Sequence, residues 1–132
     1  MVYGAKDSAL QQRYKNILEE LSLKEVTKSW RSAKVSFANV DEVTEESLSS
    51  SIVYLVGAVD ENPLIKKYLV DTPFQISSSE IQIGAKQVPN NNAILGVCFY
   101  PSPADQKVPF SFLTGTSATE VYDLFAEKVS EM

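Results

Sequence analysis

The sequence contains no histidine and only one cysteine among its 132 residues. Without histidine there can be no Ser-His-Asp or Cys-His relay, no imidazole-ligated zinc and no imidazole acid or base near neutral pH. Cys98 has no partner for an intramolecular disulfide, and its apolar neighbours predict a buried, unreactive thiol in a strand. These absences argue against the commonest hydrolytic and zinc-dependent sites.

Positive charge is also scarce, with 12 Lys and Arg residues against 17 Asp and Glu residues and a formal net charge of -5. The cations occur in small groups, Lys24 with Lys28 and Arg31 and then Lys66 with Lys67, and acidic residues accompany each group. A nucleic-acid backbone would be repelled unless the cations formed a stripe on one face. The sequence therefore predicts no nucleic-acid partner.

Long apolar runs are missing as well. No segment approaches the roughly 20 apolar residues of a membrane-spanning helix, and the first residues lack the apolar run of a secretion signal. We therefore expect no membrane span, and the compartment is unknown. The length predicts one domain over 1–132, free-standing or excised from a longer chain, because two halves would each be too small to bury a core unaided.

Helical and strand periodicities alternate along the chain, in the order helix, strand, short helix, strand, helix, hairpin, strand, strand, helix. The predicted bounds are 8–23, 33–40, 44–48, 52–59, 63–70, 74–76 with 81–83, 93–100, 108–113 and 117–129. The runs 52–59 and 93–100 are apolar almost throughout, which is typical of central strands covered on both faces. This order favours an α/β fold: a three-layer, Rossmann- or flavodoxin-like mixed sheet with helices on both faces and a β-hairpin insertion.

Capping residues mark the predicted helix starts. Polar side chains at these positions accept hydrogen bonds from the first unpaired N–H groups of a helix. The candidates are Asp7 or Ser8 for the first helix, Thr44 or Asp41 for the short helix, Asn62 followed by Pro63 for the third, and Ser117 with Glu120 for the last.

Two strand-to-helix turns, 57–62 and 115–117, are predicted to lie side by side at the carboxyl edge of the sheet, where open α/β folds bind ligands. The N–H groups of the helix after Ser117 would suit a phosphate or carboxylate. In the alternative interpretation Ser117 and Glu120 satisfy those groups themselves, and Asp60 and Glu61 repel an anion. Neither turn carries a dinucleotide or P-loop glycine pattern, so no cofactor is predicted. The candidate ligand-binding residues are Gly57, Asn62, Gly115, Thr116 and Ser117.

An acidic cluster formed by Asp41, Glu42, Glu45 and Glu46 could hold a hard cation such as calcium. Its spacing does not match an EF-hand loop. A solvated acidic turn is the favoured interpretation, and no metal site is predicted.

Several turns resemble those of a small α/β domain appended to bacterial α/β-hydrolase-type esterases and peptidases. The similarity spans about 33–131, and its residues are Leu55-Val56-Gly57, Asn62-Pro63-Leu64, Tyr100-Pro101-Ser102-Pro103 and Gly115-Thr116-Ser117. In such proteins the Gly-x-Ser-x-Gly nucleophile elbow belongs to the hydrolase portion, and this chain has no such elbow. The resemblance implies an accessory, non-catalytic module of a larger bacterial protein, periplasmic or extracellular where that protein is exported.

Three functions follow as hypotheses. The first is an accessory or protein-interaction domain, whose partner is the rest of a parent chain or another protein. The second is a flavodoxin-like binder of a small molecule or anion at the Gly57 and Gly115 turns. The third is a metal-dependent or carboxylate-based enzyme, for which no specific residue set is visible. The oligomeric state is not predicted.

Overall fold

A mixed sheet forms the centre of the molecule. The computed structural model describes residues 1–23, 36–49, 52–70, 72–77, 79–89, 94–99 and 110–131. The strands are β1 (Val2–Tyr3), β2 (Ala38–Asn39), β3 (Val53–Val56), β4 (Phe74–Ile76), β5 (Glu80–Ile83), β6 (Lys86–Pro89), β7 (Ile94–Phe99) and β8 (Phe110–Gly115). Five of them form one sheet in the order β2-β1-β3-β8-β7. All neighbours in it are parallel except β7, which runs antiparallel to β8. The predicted α/β class with a mixed sheet is confirmed.

The described helices are α1 (Ser8–Ser22), α2 (Glu45–Ser49), α3 (Pro63–Leu69) and α4 (Ala118–Ser130), with a 3-10 turn at Val40–Glu42. Three predicted caps are confirmed. Asp7 accepts a hydrogen bond from the Leu10 N–H at 3.0 Å, Thr44 accepts one from Ser47 at 3.3 Å, and Ser117 accepts one from Glu120 at 3.4 Å. Local sequence therefore determines where these helices begin.

Apolar side chains pack on both faces of the five-stranded sheet. Because alternate residues of a strand point to opposite faces, each central strand contributes to two clusters. One cluster joins sheet residues to α2, α3 and the small sheet; its buried members are Val2, Leu48, Val53, Leu55, Val59, Ile65, Leu69, Ile76, Ile81 and Phe112. The other joins the sheet to α1 and α4; its buried members are Tyr3, Ala5, Leu10, Tyr14, Leu18, Leu21, Val56, Leu113, Val121, Tyr122, Phe125 and Val129.

The predicted hairpin is present in β4 and β5, with Phe74 opposite Ile83 and Ile76 opposite Ile81. It continues into a third antiparallel strand, β6, where the sequence predicted only a turn over 84–92. Gly84 has a φ of +59°, and that left-handed conformation reverses the chain between β5 and β6. Ile76 and Ile81 seal one face of this small sheet against the main core.

The predicted place of the 93–100 run in the middle of the main sheet is wrong. Among the described strands β7 lies at the edge, and β8 separates it from β3. An apolar composition shows that a strand is suited to burial, but the neighbours of that strand depend on pairings distant in sequence. The Cys98 thiol lies outside the described side chains, so its predicted burial stays a prediction.

Other differences are smaller. The sequence showed no strand periodicity for β1, because two residues are too few to display a period. Of the strand predicted over 33–40, the structure shows Ala38–Asn39, Val40 begins the 3-10 turn, and 33–35 lie outside the described residues. The cation group of Lys24, Lys28 and Arg31 lies outside the described residues, and so does the segment Tyr100–Pro103.

Candidate functional site

Three strand-to-helix turns meet at the carboxyl edge of the parallel strands. They follow β1 (residues 4–7), β3 (57–62) and β8 (116–117). The Gly57 N–H donates to the Leu113 carbonyl at 3.1 Å, and the Val59 N–H donates to the Gly115 carbonyl at 3.2 Å. The turns after β3 and β8 therefore lie side by side, as the sequence predicted. The turn after β1 is a third component that the prediction lacked.

The structure brings the five predicted site residues to this edge. Gly57, Asn62 and Gly115 are buried, and Thr116 and Ser117 are half-buried. The residues that sequence reasoning missed are Gly4 and Lys6. A signal for them existed, because Val2-Tyr3-Gly4 precedes a capped helix much as 113–115 precede Ser117.

The turns after β1 and β3 are in close backbone contact. Gly57 has a φ of +138°, and a Cβ atom on it would lie 2.6 Å from the Gly4 carbonyl oxygen. A Cβ atom on Gly4 would lie 2.5 Å from the Glu61 carbonyl oxygen and 2.6 Å from the Asn62 Cβ. Both positions require glycine for this approach. Backbone therefore fills the region between the ends of β1 and β3, where the strand order reverses and ligands of open α/β sheets bind.

Asn62 lies at the start of α3 but makes no side-chain cap hydrogen bond, contrary to its predicted role. The side chain is fully buried. Its Nδ2 donates to the carbonyl oxygens of Val56 at 3.2 Å and Val2 at 3.4 Å. Its Oδ1 has no hydrogen-bond partner. Asn62 therefore ties the ends of β1 and β3 together.

Glu61 reaches back to the turn after β1, where its carboxylate accepts a hydrogen bond from the Lys6 N–H. Asp7, the next residue, accepts from the Leu10 N–H. The N–H groups leading into a helix attract anions, because they are unpaired and lie at the positive end of the helix dipole. At α1 two carboxylates of the chain itself already occupy those groups.

The turn after β8 is less completely satisfied. Thr114, at the end of β8, is fully buried, and its Oγ1 has no hydrogen-bond partner. Ser117 caps α4 through a long contact of 3.4 Å to the Glu120 N–H. The start of α4 is thus more weakly capped than the start of α1.

An aromatic cluster lies on the side of the sheet that α1 and α4 cover. The Tyr14 ring stacks on Tyr3 with centroids 5.5 Å apart and meets Tyr122 edge-on at 4.9 Å. Its hydroxyl is buried without a hydrogen-bond partner. Burial raises the pKa of the Tyr14 phenol above its ordinary value of 10.0, and Tyr122 and Glu61 raise that pKa further. The phenol therefore stays neutral at physiological pH and contributes packing rather than acid-base chemistry.

The acidic cluster does not converge on one point. Glu45 pairs with Lys67 of α3, and Asp41 and Glu42 lie in the exposed 3-10 turn. Across the ranges that the structure describes, no three Cys, Asp or Glu side chains are grouped to hold a metal ion.

Compared with protein-family models, curated proteins and solved structures, the chain matches none. The resemblance to domains of bacterial esterases and peptidases thus rests on the turns alone. Within the described ranges, every helix is too short or too polar to cross a bilayer.

Proposed function

We propose that this chain is a non-catalytic accessory or protein-interaction domain of a larger bacterial protein, with the rest of that protein or another protein as its partner. Its architecture would be a three-layer, flavodoxin-like variant. The order β2-β1-β3 is the beginning of the flavodoxin order, and the antiparallel β7 departs from it.

The contact of Glu61 with the turn after β1 carries this proposal. In an enzyme or binder of this class, that place is left open for a substrate or cofactor. Here the Glu61 carboxylate lies on the Lys6 N–H, and the backbone of Gly4 contacts the next turn. Because the chain fills its own crevice, its stable surface is better suited to contacts with protein than to chemistry.

An activity assay of the purified protein with generic esterase, peptidase and phosphatase substrates tests the proposal. We expect turnover no higher than in a buffer blank, and no change on Ser117→Ala, which removes a nucleophile candidate beside the crevice. Turnover that the wild type shows and Ser117→Ala lacks would refute a non-catalytic role.

A second candidate function is the binding of a small molecule or anion, for which the start of α4 provides one specific observation. The Ser117 hydroxyl accepts from the Glu120 N–H over a long 3.4 Å, so the first N–H groups of α4 are weakly paired. Inorganic phosphate, FMN and nucleotides would each be tested by thermal shift, since a ligand at 100 times its Kd adds about 2.7 kcal/mol to stability. A shift that Ser117→Ala alters, with Asp7→Asn as the matched control at α1, would favour this second function.

A further inference from the structure

Strand β7 has the composition of an interior strand but lies at a sheet edge. Leu95 and Val97 pack against the cluster on one face, and Ile94 packs against the cluster on the other. All three are only half-buried, and the strand contains no charged residue. Apolar side chains on both faces are typical of strands with a neighbour on each side. Within the described part of the chain, β7 pairs with β8 alone.

The other sheet edges carry the features that discourage pairing. At the opposite edge of the main sheet, β2 has only two residues. In the small sheet, β4 has three residues, and β6 contains the exposed Lys86 and ends in Pro89, which has no N–H to donate. Short length, lysine and proline protect natural edges. The six-residue β7 has none of them.

We propose that β7 pairs with β7 of a second copy of this chain, antiparallel about a two-fold axis at Gly96. A two-fold axis perpendicular to the sheet does not exchange the two faces of the sheet. Side chains that lie opposite each other across the axis must therefore belong to the same face. Centred on Gly96, this register places Leu95 of each copy opposite Val97 of the other copy. Two half-buried apolar residues then cover each other, and the outward N–H and C=O groups of β7 find partners.

The lack of charge on β7 suits it to contact with an equally acidic second copy. Each copy has a formal net charge of -5, so two copies repel, but contact along β7 brings no like charges together. Added salt should screen that repulsion and strengthen the dimer, whereas it would weaken a contact with an oppositely charged protein. A contact of one strand is smaller than the roughly 1,600 Å² of a standard interface, so we expect a Kd of about 10–1000 μM.

Sedimentation equilibrium on the full chain tests the dimer. We expect the mass to rise with concentration from 14.6 kDa toward twice that value, more readily at high salt. Gly96→Lys should stay monomeric, because it places two like charges at the axis. A Cβ atom on Gly96 would make only an ordinary 3.5 Å contact with Leu113, so the fold should tolerate the change, which circular dichroism checks. Gln87→Lys adds the same charge at an exposed position of β6 and should dimerise like the wild type.

Cross-linking tests the register. In a Cys98→Ser background, Gly96→Cys should form an intermolecular disulfide, because opposed residues have Cα atoms about 4.5–5.5 Å apart. Val97→Cys is the matched control and should give about tenfold less, since the two copies of that residue would lie too far apart to bridge. A wild type that shows no dimer at about 1 mM, the upper end of the expected range of Kd, would overturn the proposal. Dimerisation unaffected by Gly96→Lys, or equal cross-linking by both cysteine variants, would also overturn it.

Discussion

The carbonyl oxygen of Gly4 lies 2.6 Å from the point where a Cβ atom on Gly57 would sit, so the turns after β1 and β3 leave no room for a side chain at Gly57. Gly57→Ala must move one turn away from the other and must also adopt a φ of +138°, which side chains disfavour. We expect a loss of about 3 kcal/mol in the free energy of unfolding, measured by urea denaturation.

Gly84→Ala is the matched control for Gly57→Ala. Gly84 also has a positive φ, of +59°, but nothing lies within 4 Å of its Cβ position. The control should lose only about 1 kcal/mol, the cost of the left-handed conformation alone. Equal losses in the two variants would show that the contact with Gly4 has no energetic importance.

The stability that the Asn62 side chain provides should depend on its Nδ2 donor more than on its shape. Asn62→Asp is nearly isosteric, but at neutral pH it places a carboxylate beside the carbonyl oxygens of Val2 and Val56, to which Nδ2 now donates. We expect a loss of about 3 kcal/mol or more at pH 7, against about 2 kcal/mol for Asn62→Ala. Chemical denaturation of both variants measures the order, and an Asp variant as stable as the wild type would contradict this role.

The Glu61 carboxylate should be replaceable by a free anion. Glu61→Ala leaves the Lys6 N–H without its acceptor, and we expect a loss of about 1 kcal/mol, modest because the contact is exposed to water. Acetate should raise the melting temperature of Glu61→Ala more than that of the wild type. Glu61→Gln retains an oxygen acceptor and should need no such rescue. Identical responses to acetate in all three proteins would show that the Lys6 N–H does not bind anions.

Tyr14 should govern part of the alkaline stability. Burial raises its pKa in the folded state above the ordinary 10.0, so the unfolded chain releases the phenol proton first. The stabilising contribution is therefore complete below pH 10 and is lost as the pH rises above it, at up to about 1.4 kcal/mol per pH unit. Stability measured at pH 9 to 11.5 should fall more steeply for the wild type than for Tyr14→Phe.

At pH 7 Tyr14→Phe should be within about 1 kcal/mol of the wild type or more stable, because the buried hydroxyl it removes has no partner. Parallel pH profiles for the two proteins would contradict the link to Tyr14.

Local signals in the sequence predicted most elements correctly. The Asp7, Thr44 and Ser117 caps depend on a few neighbouring residues, so they could be predicted from the sequence. The edge position of β7 could not, since a strand apolar on both faces looks the same wherever it pairs.

The position of the candidate site was predicted from the sequence, but the contacts of its side chains were not. The turns at Gly57 and Gly115 do lie side by side, because both follow parallel neighbours in the sheet. Asn62 points inward to two carbonyls instead of capping α3. One of these carbonyls belongs to Val2, 60 residues earlier in the chain. No local pattern encodes such a contact.

The two residues of β1 lie between β2 and β3, and β3 in turn pairs with β8. During synthesis, β1 therefore cannot pair with β3 until residues 53–56 have emerged from the ribosome. The sheet is incomplete until residues 110–115 have also emerged. At about 5–20 residues per second, this leaves the apolar face of α1 without its final cover for several seconds. Nascent chains halted before β8 should consequently be bound by chaperones and sensitive to proteases.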